Sequence, residues 1–402
     1  MSILKSKSIH FRIVSFRNII LPALFLLFTI SLLLFSKTNL SATKEGLFLW
    51  ANSVLPSLFP FFIATELLGY TSIIPSIGKF FSWLMRPLFH VPGEGAFALV
   101  MGMISGTPVG AKIATDFYEK GITTKEESER LLSFTNNSGP LFIIGTVGIS
   151  LFGDTLLGYL LLFTHLLACL TVGFLFRFWK YKKPSQKTTF THSLGYTQEP
   201  ISLGQMLSSS ITNSTKTIVM IGGFVVLFSV IISVLQQSHL LSFLGNILSP
   251  IFQVFGIETS FVTPVLTGIL ELTNGVKNVS MVVTKHLSTS VTLCAFLLGF
   301  GGISIGLQVL SIVSKTNLSI VPYFLGKLLQ GIFAAFYTYI MIAWFPIFNL
   351  DLQSVSSNLG NSIANTNANT TSSFSYLAWG MVLFLVLWLI KSFLEKRKCM
   401  KI

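Results

Sequence analysis

The chain has 402 residues, 51% of them hydrophobic and only 10% charged. Soluble domains carry about 25% charged residues, so an ordinary water-soluble fold is excluded and a polytopic membrane protein is indicated. The net charge of +13 does not point to nucleic acid, because Lys and Arg collect in short loops and tails, the pattern that membrane topology leaves.

The basic start, Lys5, Lys7, Arg12 and Arg17, precedes an apolar run from Asn18 to Phe35. That run exceeds the roughly 7–15 residues of a cleavable leader's core, so it reads as an uncleaved first span with a cytoplasmic N-terminus. Leu47–Tyr70 is the next span, broken by Pro56 and Pro60, with Glu66 near its end. Ser76–Val91 is too short and too amphipathic to cross and reads as an interfacial helix. Residues 95–112 are apolar but interrupted by Gly and Pro. In the charged stretch that follows, Thr123-x-x-Glu126 reads as a capping box for a helix entering the membrane near Leu131. That helix meets Thr135-Asn-Asn-Ser-Gly-Pro140, a run no lipid-facing helix favours. Apolar sequence resumes to Phe152, and Thr155–Trp179 spans again. Lys180, Lys182, Lys183 and Lys187 open a polar linker reaching to about Gly204.

The second half repeats the plan. Thr217–Leu235 spans, Ser238–Phe255 is interfacial, and 258–276 is a second interrupted segment. Ser288–Ile312 spans with a break at Gly299-Phe-Gly-Gly-Ile-Ser-Ile-Gly306, and Ile320–Phe345 spans after it. Residues 349–373 form a Ser/Asn/Thr-rich loop without Lys or Arg, and Phe374–Ile390 is a last span before a basic tail. Local echoes support a duplication: Pro87-Leu-Phe-His-Val91 returns as Pro250-Ile-Phe-Gln-Val254, and Gly110-Ala-Lys112 as Gly275-Val-Lys277.

Basic segments face the cytoplasm, which places the N-terminus, the 180–187 linker and the C-terminal tail inside and the 349–373 loop outside. Each half must then cross an odd number of times, entered from opposite sides. The fold class expected is all-α: about eight transmembrane helices plus two re-entrant hairpins, in two inverted-topology repeats. The divisions are 1–45 (N-terminus and first span), 46–180 (repeat 1), 181–204 (linker), 205–348 (repeat 2), 349–373 (polar loop) and 374–402 (last span and tail).

Interrupted segments at matching places in two halves point to a transporter's binding site. The tip of hairpin 1 falls at Ser105, Gly106 and Thr107 through Gly110, and that of hairpin 2 at Glu271, Thr273, Asn274 and Gly275. Facing partners are Asn136, Asn137, Ser138 and Gly139 in one half and Gly301, Gly302 and Ser304 in the other. Half-helix N-termini suit anionic groups. Lys112 and Lys277 could neutralise an acidic ligand or else snorkel to the interface. Glu271, a carboxylate at membrane depth, is a candidate for a proton, cation or substrate role, or for a pair with Lys277. His165 reads as a core histidine and His286 as a loop residue.

Cys169, Cys294 and Cys399 include no CxxC pair, so neither a disulfide framework nor a zinc site is expected. Gly302-Ile-Ser-Ile-Gly306 matches a hydrolase elbow in letters only, since that motif needs a strand–turn–helix context. No enzyme activity, cofactor or metal is expected. The partners expected are the lipid bilayer and a small anionic substrate, with a coupling proton or sodium ion and homo-oligomerisation left open.

The runs LPSLFPFFIATELL (55–68), MISGTPVGAK (103–112), LLSFTNNSGPLFIIGTVG (131–148) and LELTNGVK (270–277) resemble the YlbJ family of sporulation integral membrane proteins. That family carries a duplicated Gate, or nucleoside-recognition, domain, distantly similar to concentrative nucleoside transporters. The resemblance covers about 45–390. It implies an endospore-former, the mother-cell-derived outer forespore membrane, and transport of dipicolinate, a small aromatic dianion. A nucleoside-type carrier and a non-transporting scaffold of spore-envelope assembly are the competing readings.

Overall fold

The computed structural model describes residues 22–71, 73–181, 202–284 and 286–344. Among them every regular element is helical. Most of the expected linker (182–201), the 349–373 loop and the last span lie outside the described residues.

The first half begins with α1 (Pro22–Leu34), which meets the next helix at a 99° bend. α2 (Ser36–Leu49) runs through a π-turn, Trp50–Val54, into α3 (Leu55–Leu68). The π-turn falls just before Pro56 and Pro60, which cannot donate to the helical ladder. It is pinned by Trp50, whose Nε1 donates to the Ile218 carbonyl at 3.0 Å. α4 (Ile73–Phe89) follows, with Phe80 and Trp83 exposed. α5 (Gly95–Ser105) and α6 (Val109–Glu119) pack on each other as a hairpin. α7 (Lys125–Phe134) is separated by residues 135–140 from a π-helix, Leu141–Leu151, and α8 (Thr155–Phe176) ends the half.

The same succession recurs. α9 (Leu203–Gln237) is a long helix, α10 (Leu240–Val254) is amphipathic with Phe243, Ile247 and Ile251 exposed, and α11 (Val262–Leu270) pairs with α12 (Leu272–Ser280) as a second hairpin. α13 (Leu287–Phe300) and α14 (Gly302–Val313) flank the second break, and α15 (Val321–Trp344) closes the described chain. α8 and α15 pack together, and α15 also carries α13 and α7. The halves interlock: α6 touches α14, and α12 touches the π-helix.

Four described helices, Thr155–Phe176, Leu203–Gln237, Leu287–Val313 and Val321–Trp344, are long and apolar enough to cross a membrane. A fifth arises if the bent pair at the start counts as one span. The expected crossings at 47–70 and 131–152 are instead built from shorter pieces, because Pro56 and Pro60 disturb one and the Asn-Asn-Ser-Gly-Pro run stops the other. The capping box is also one residue later than expected. Thr124 and Glu127 bond reciprocally, while Thr123 bonds the Ser128 hydroxyl at 2.5 Å. α9 starts with a second box, Ser202 and Gln205, within what the sequence suggested was linker.

Two contacts set the hairpins. A Cβ on Gly102 or Gly110 would lie 1.9 or 2.0 Å from the Thr135 carbonyl oxygen, so α5 and α6 close directly onto the start of the first break. A Cβ on Gly275 would lie 1.9 Å from the Gly268 Cα, so α11 and α12 touch backbone to backbone. Only glycine permits either approach.

At one end of the fold, Glu129 on α7 has a fully buried carboxylate. It accepts from Trp179 Nε1 (2.9 Å), Lys180 Nζ (2.9 Å) and the Ser319 backbone N–H (3.1 Å), tying α7 to the end of α8 and the start of α15. Burial pushes this carboxyl up, but the three donors outweigh it and hold it below its ordinary value.

Candidate functional site

A cleft of about 70 Å³ opens between the hairpins and the two broken helices. Its polar wall is Gly106 and Thr107 of hairpin 1, Ser138 and Gly139 of the first break, Glu271 and Thr273 of hairpin 2, and Ser304 and Gln308 of α14. Its apolar wall includes Val54 at the end of the π-turn, Leu58 of α3, and Ile221 and Val225 of α9.

The polar residues share a structural position. Thr107 precedes α6, Gly139 precedes the π-helix, Glu271 and Leu272 open α12, and Ser304 lies in the first turn of α14. Four helix N-termini, two from each half, therefore meet at one cleft, each contributing partial positive charge. Three of them have no side-chain cap. The fourth is capped by Glu271, whose carboxylate accepts from the Thr273 and Asn274 backbone N–H groups at 2.9 and 2.7 Å. The turn into α14 is made by Gly301 and Gly302, with φ of 83° and 81°, which only glycine adopts in succession without strain. Ser138 joins the halves by donating to the Leu298 carbonyl at 3.3 Å.

Of the residues singled out from sequence, Gly106, Thr107, Ser138, Gly139, Glu271, Thr273 and Ser304 line the cleft. Ser105 is buried behind hairpin 1, sharing a 2.9 Å hydrogen bond with Thr65. Gly110 and Gly275 are packing contacts, and Gly301 and Gly302 form the second break. Asn274 turns its amide to Ser229 of α9 at 3.4 Å.

The lysine pair is not part of the cleft wall. Lys112 forms an ion pair with Glu66 of α3, and Asn213 of α9 donates to the other Glu66 oxygen at 3.4 Å. Lys277 is exposed, and Glu271 bonds the start of its own helix rather than Lys277. The rotation of each residue about its helix sends Lys112 to Glu66 and Lys277 to the exposed surface.

Asn136 and Asn137 sit behind the cleft, fully buried. Asn137 Nδ2 donates to the Phe134 carbonyl at 2.9 Å and to Cys169 Sγ at 3.3 Å. Its Oδ1 accepts from Gln330 Nε2 at 2.7 Å. Lys327 Nζ donates to the Asn136 carbonyl at 3.0 Å and to Gln330 Oε1 at 2.8 Å. His165 is buried as expected, with Nε2 facing Gln330 Nε2 at 3.4 Å, but its Nδ1 has no partner.

Lys327, Gln330 and Gln308 were missed by sequence reasoning. A usable signal was present, since an ionisable residue in the middle of an apolar span marks function by default, and Gln330 lies three residues away on the same helical face.

A family model described as nucleoside recognition, the Gate domain, matches residues 51–176 and 218–319. The sporulation integral membrane protein YlbJ of Bacillus subtilis (strain 168) is 36% identical over 345 residues, covering 82% of this chain and 84% of that protein. This chain belongs to the YlbJ family. It is an all-helical, multi-pass integral membrane protein of that sporulation family. Its fold also aligns with a solved structure of a CNTnw double variant in an outward-facing state, at 14% identity and a TM-score of 0.45, over 84% of this chain and 86% of that one.

Proposed function

We propose that this member of the YlbJ family is a secondary carrier or facilitator for a small organic anion, with dipicolinate as the substrate to test first. The observation that carries the reading is the meeting of four helix N-termini, from both halves, at one cleft. Unwound backbone between half-helices is tolerated at membrane depth where it lines such a cavity. Three uncapped N-termini supply anion-binding N–H groups, and the hydroxyls of Thr107, Ser138, Thr273 and Ser304 add orientable hydrogen bonds. In this reading the paired helices α5–α6 and α11–α12 are re-entrant hairpins of inverted repeats. Both termini face the cytoplasm of the mother cell, and the protein sits in the outer forespore membrane.

A second reading rests on Glu271. A carboxylate in the cleft wall suits a neutral, polyhydroxylated solute such as a nucleoside, whose ribose hydroxyls can donate to it. Uptake of radiolabelled dipicolinate and uridine into proteoliposomes separates the two. Saturable dipicolinate uptake supports the anion carrier, uridine uptake supports the nucleoside reading, and transport of neither by folded protein leaves a scaffold role.

A further inference from the structure

Lys327 is 1% exposed on α15, and no carboxylate reaches it among the described residues. Its two partners are neutral oxygens, the Asn136 carbonyl and Gln330 Oε1. Asn136 belongs to the break between α7 and the π-helix. The lysine stem lies against the other break, where a Cβ on Gly301 would be 3.5 Å from its Cε. One side chain thus lies beside both breaks, its amine bonded to the first and its stem packed near the second.

The groups around it offer no counter-charge. α8 presents His165 and Cys169, and α15 itself presents Tyr323, which Asn136 Nδ2 approaches at 3.4 Å. α7 directs Glu129 and Arg130 to residues 179, 180 and 319 instead, and α13 brings the Gly301 turn. Gln330 Nε2 can only donate, so His165 Nε2 is an acceptor and its ring is neutral. Asn136 Oδ1 and His165 Nδ1, both buried, have no partner.

An unwound carbonyl with an amide oxygen is the donor set that holds a small cation in transporters. Here the chain's own side chain fills that set. A buried amine held only by neutral oxygens is costly where an apolar side chain would not be. What an amine offers that a methionine does not is an exchangeable proton.

We propose that Lys327 is the coupling group of the carrier: a tethered cation bridging the two helix breaks, which gains and loses one proton in the transport cycle. The step balances with water as the proton acceptor: the ammonium N–H bond breaks, its electron pair stays on Nζ, and water takes the proton. The neutral amine grips the Asn136 carbonyl less strongly, which frees the break that sets Ser138 and Gly139 on the cleft. Because the cation is built in, transport follows a proton gradient and not a sodium gradient. The coupling role rests on the carrier reading above; the tethered cation does not.

The test has two arms. In proteoliposomes with radiolabelled dipicolinate, a proton gradient drives accumulation, and Lys327→Met lowers that accumulation about tenfold while lowering counterflow exchange far less. Accumulation driven by sodium in the wild type, or proton-driven accumulation that survives in Lys327→Met, overturns the coupling role. The second arm needs no substrate. Methylammonium raises the melting temperature of purified Lys327→Ala, whose cation site is emptied, and leaves the wild type where it was. If Lys327→Ala does not fold, the same comparison is made with the less drastic Lys327→Ser. A variant indifferent to methylammonium and sodium overturns the tethered cation. Wild-type protein that moves neither dipicolinate nor uridine refutes the carrier, and the melting arm then decides the tethered cation alone.

Discussion

Gly275→Ala is expected to damage the fold more than its one methyl group suggests. The new Cβ would stand 1.9 Å from the Gly268 Cα and 2.5 Å from the Gly268 nitrogen. Carbon atoms pack at about 3.5–4 Å, so α11 and α12 must part by roughly 1.5 Å. Over-packing costs about 1–3 kcal/mol where side chains can shift. Both sides here are backbone, so the cost falls at about 3 kcal/mol or above. Gly268→Ala makes a useful contrast, because its Cβ would meet the Leu297 side chain at 2.4 Å and a leucine can change rotamer. Gly223→Ala in α9 meets nothing within 4 Å and should stabilise by up to about 1 kcal/mol. Melting temperatures in one detergent, read by intrinsic fluorescence, should rank Gly275→Ala lowest, then Gly268→Ala, then wild type, with Gly223→Ala at or above it. A Gly275→Ala protein as stable as Gly223→Ala would refute the backbone contact that defines hairpin 2.

Acid should weaken the protein through Glu129. Its carboxyl is held below the ordinary value of 4.5, so its contribution is complete above that pH and is lost as pH falls through the lower, folded value. Glu129→Gln should cost about 2 kcal/mol at neutral pH and flatten the acid limb of a melting-temperature profile; an unchanged limb would contradict the assignment. Lys112→Ala should leave uptake within about twofold of wild type and cost under about 1 kcal/mol, since its partly exposed ion pair with Glu66 is local. A complete loss of uptake in stable Lys112→Ala protein would return that lysine to the binding site. Glu271→Ala removes the α12 cap and a cleft wall together, so it should lower stability by about 1–2 kcal/mol and also abolish specific uptake; retained affinity would place the substrate elsewhere.

The sequence carried the helical breaks well. Clustered helix-breaking residues at Gly106–Pro108, Asn136–Pro140 and Gly301-Gly302 mark the stops, whereas the single Pro60, Pro87 and Pro250 lie inside α3, α4 and α10. The tips of both hairpins accordingly reach the cleft. What it did not carry was direction. Spacing put Lys112 and Lys277 near the tips, but rotation about each helix axis turns one to Glu66 and the other to the exposed surface. Glu271 was identified as special without its partner, because capping depends on where α12 begins. The Lys327 cluster needs four separate segments, 136–137, 165–169, 301 and 323–330, brought together by packing of α15 against α7, α8 and α13. Nothing in one sequence registers that convergence.

The central claim is that the cleft between the hairpins is where substrate binds. Thr107→Trp places an indole into that cleft from the tip of hairpin 1, whereas Val283→Trp lies on an exposed face. Radiolabelled dipicolinate uptake should be lost in Thr107→Trp proteoliposomes and kept in Val283→Trp, with both proteins folded to the wild-type melting temperature. Undiminished uptake through Thr107→Trp would contradict the account.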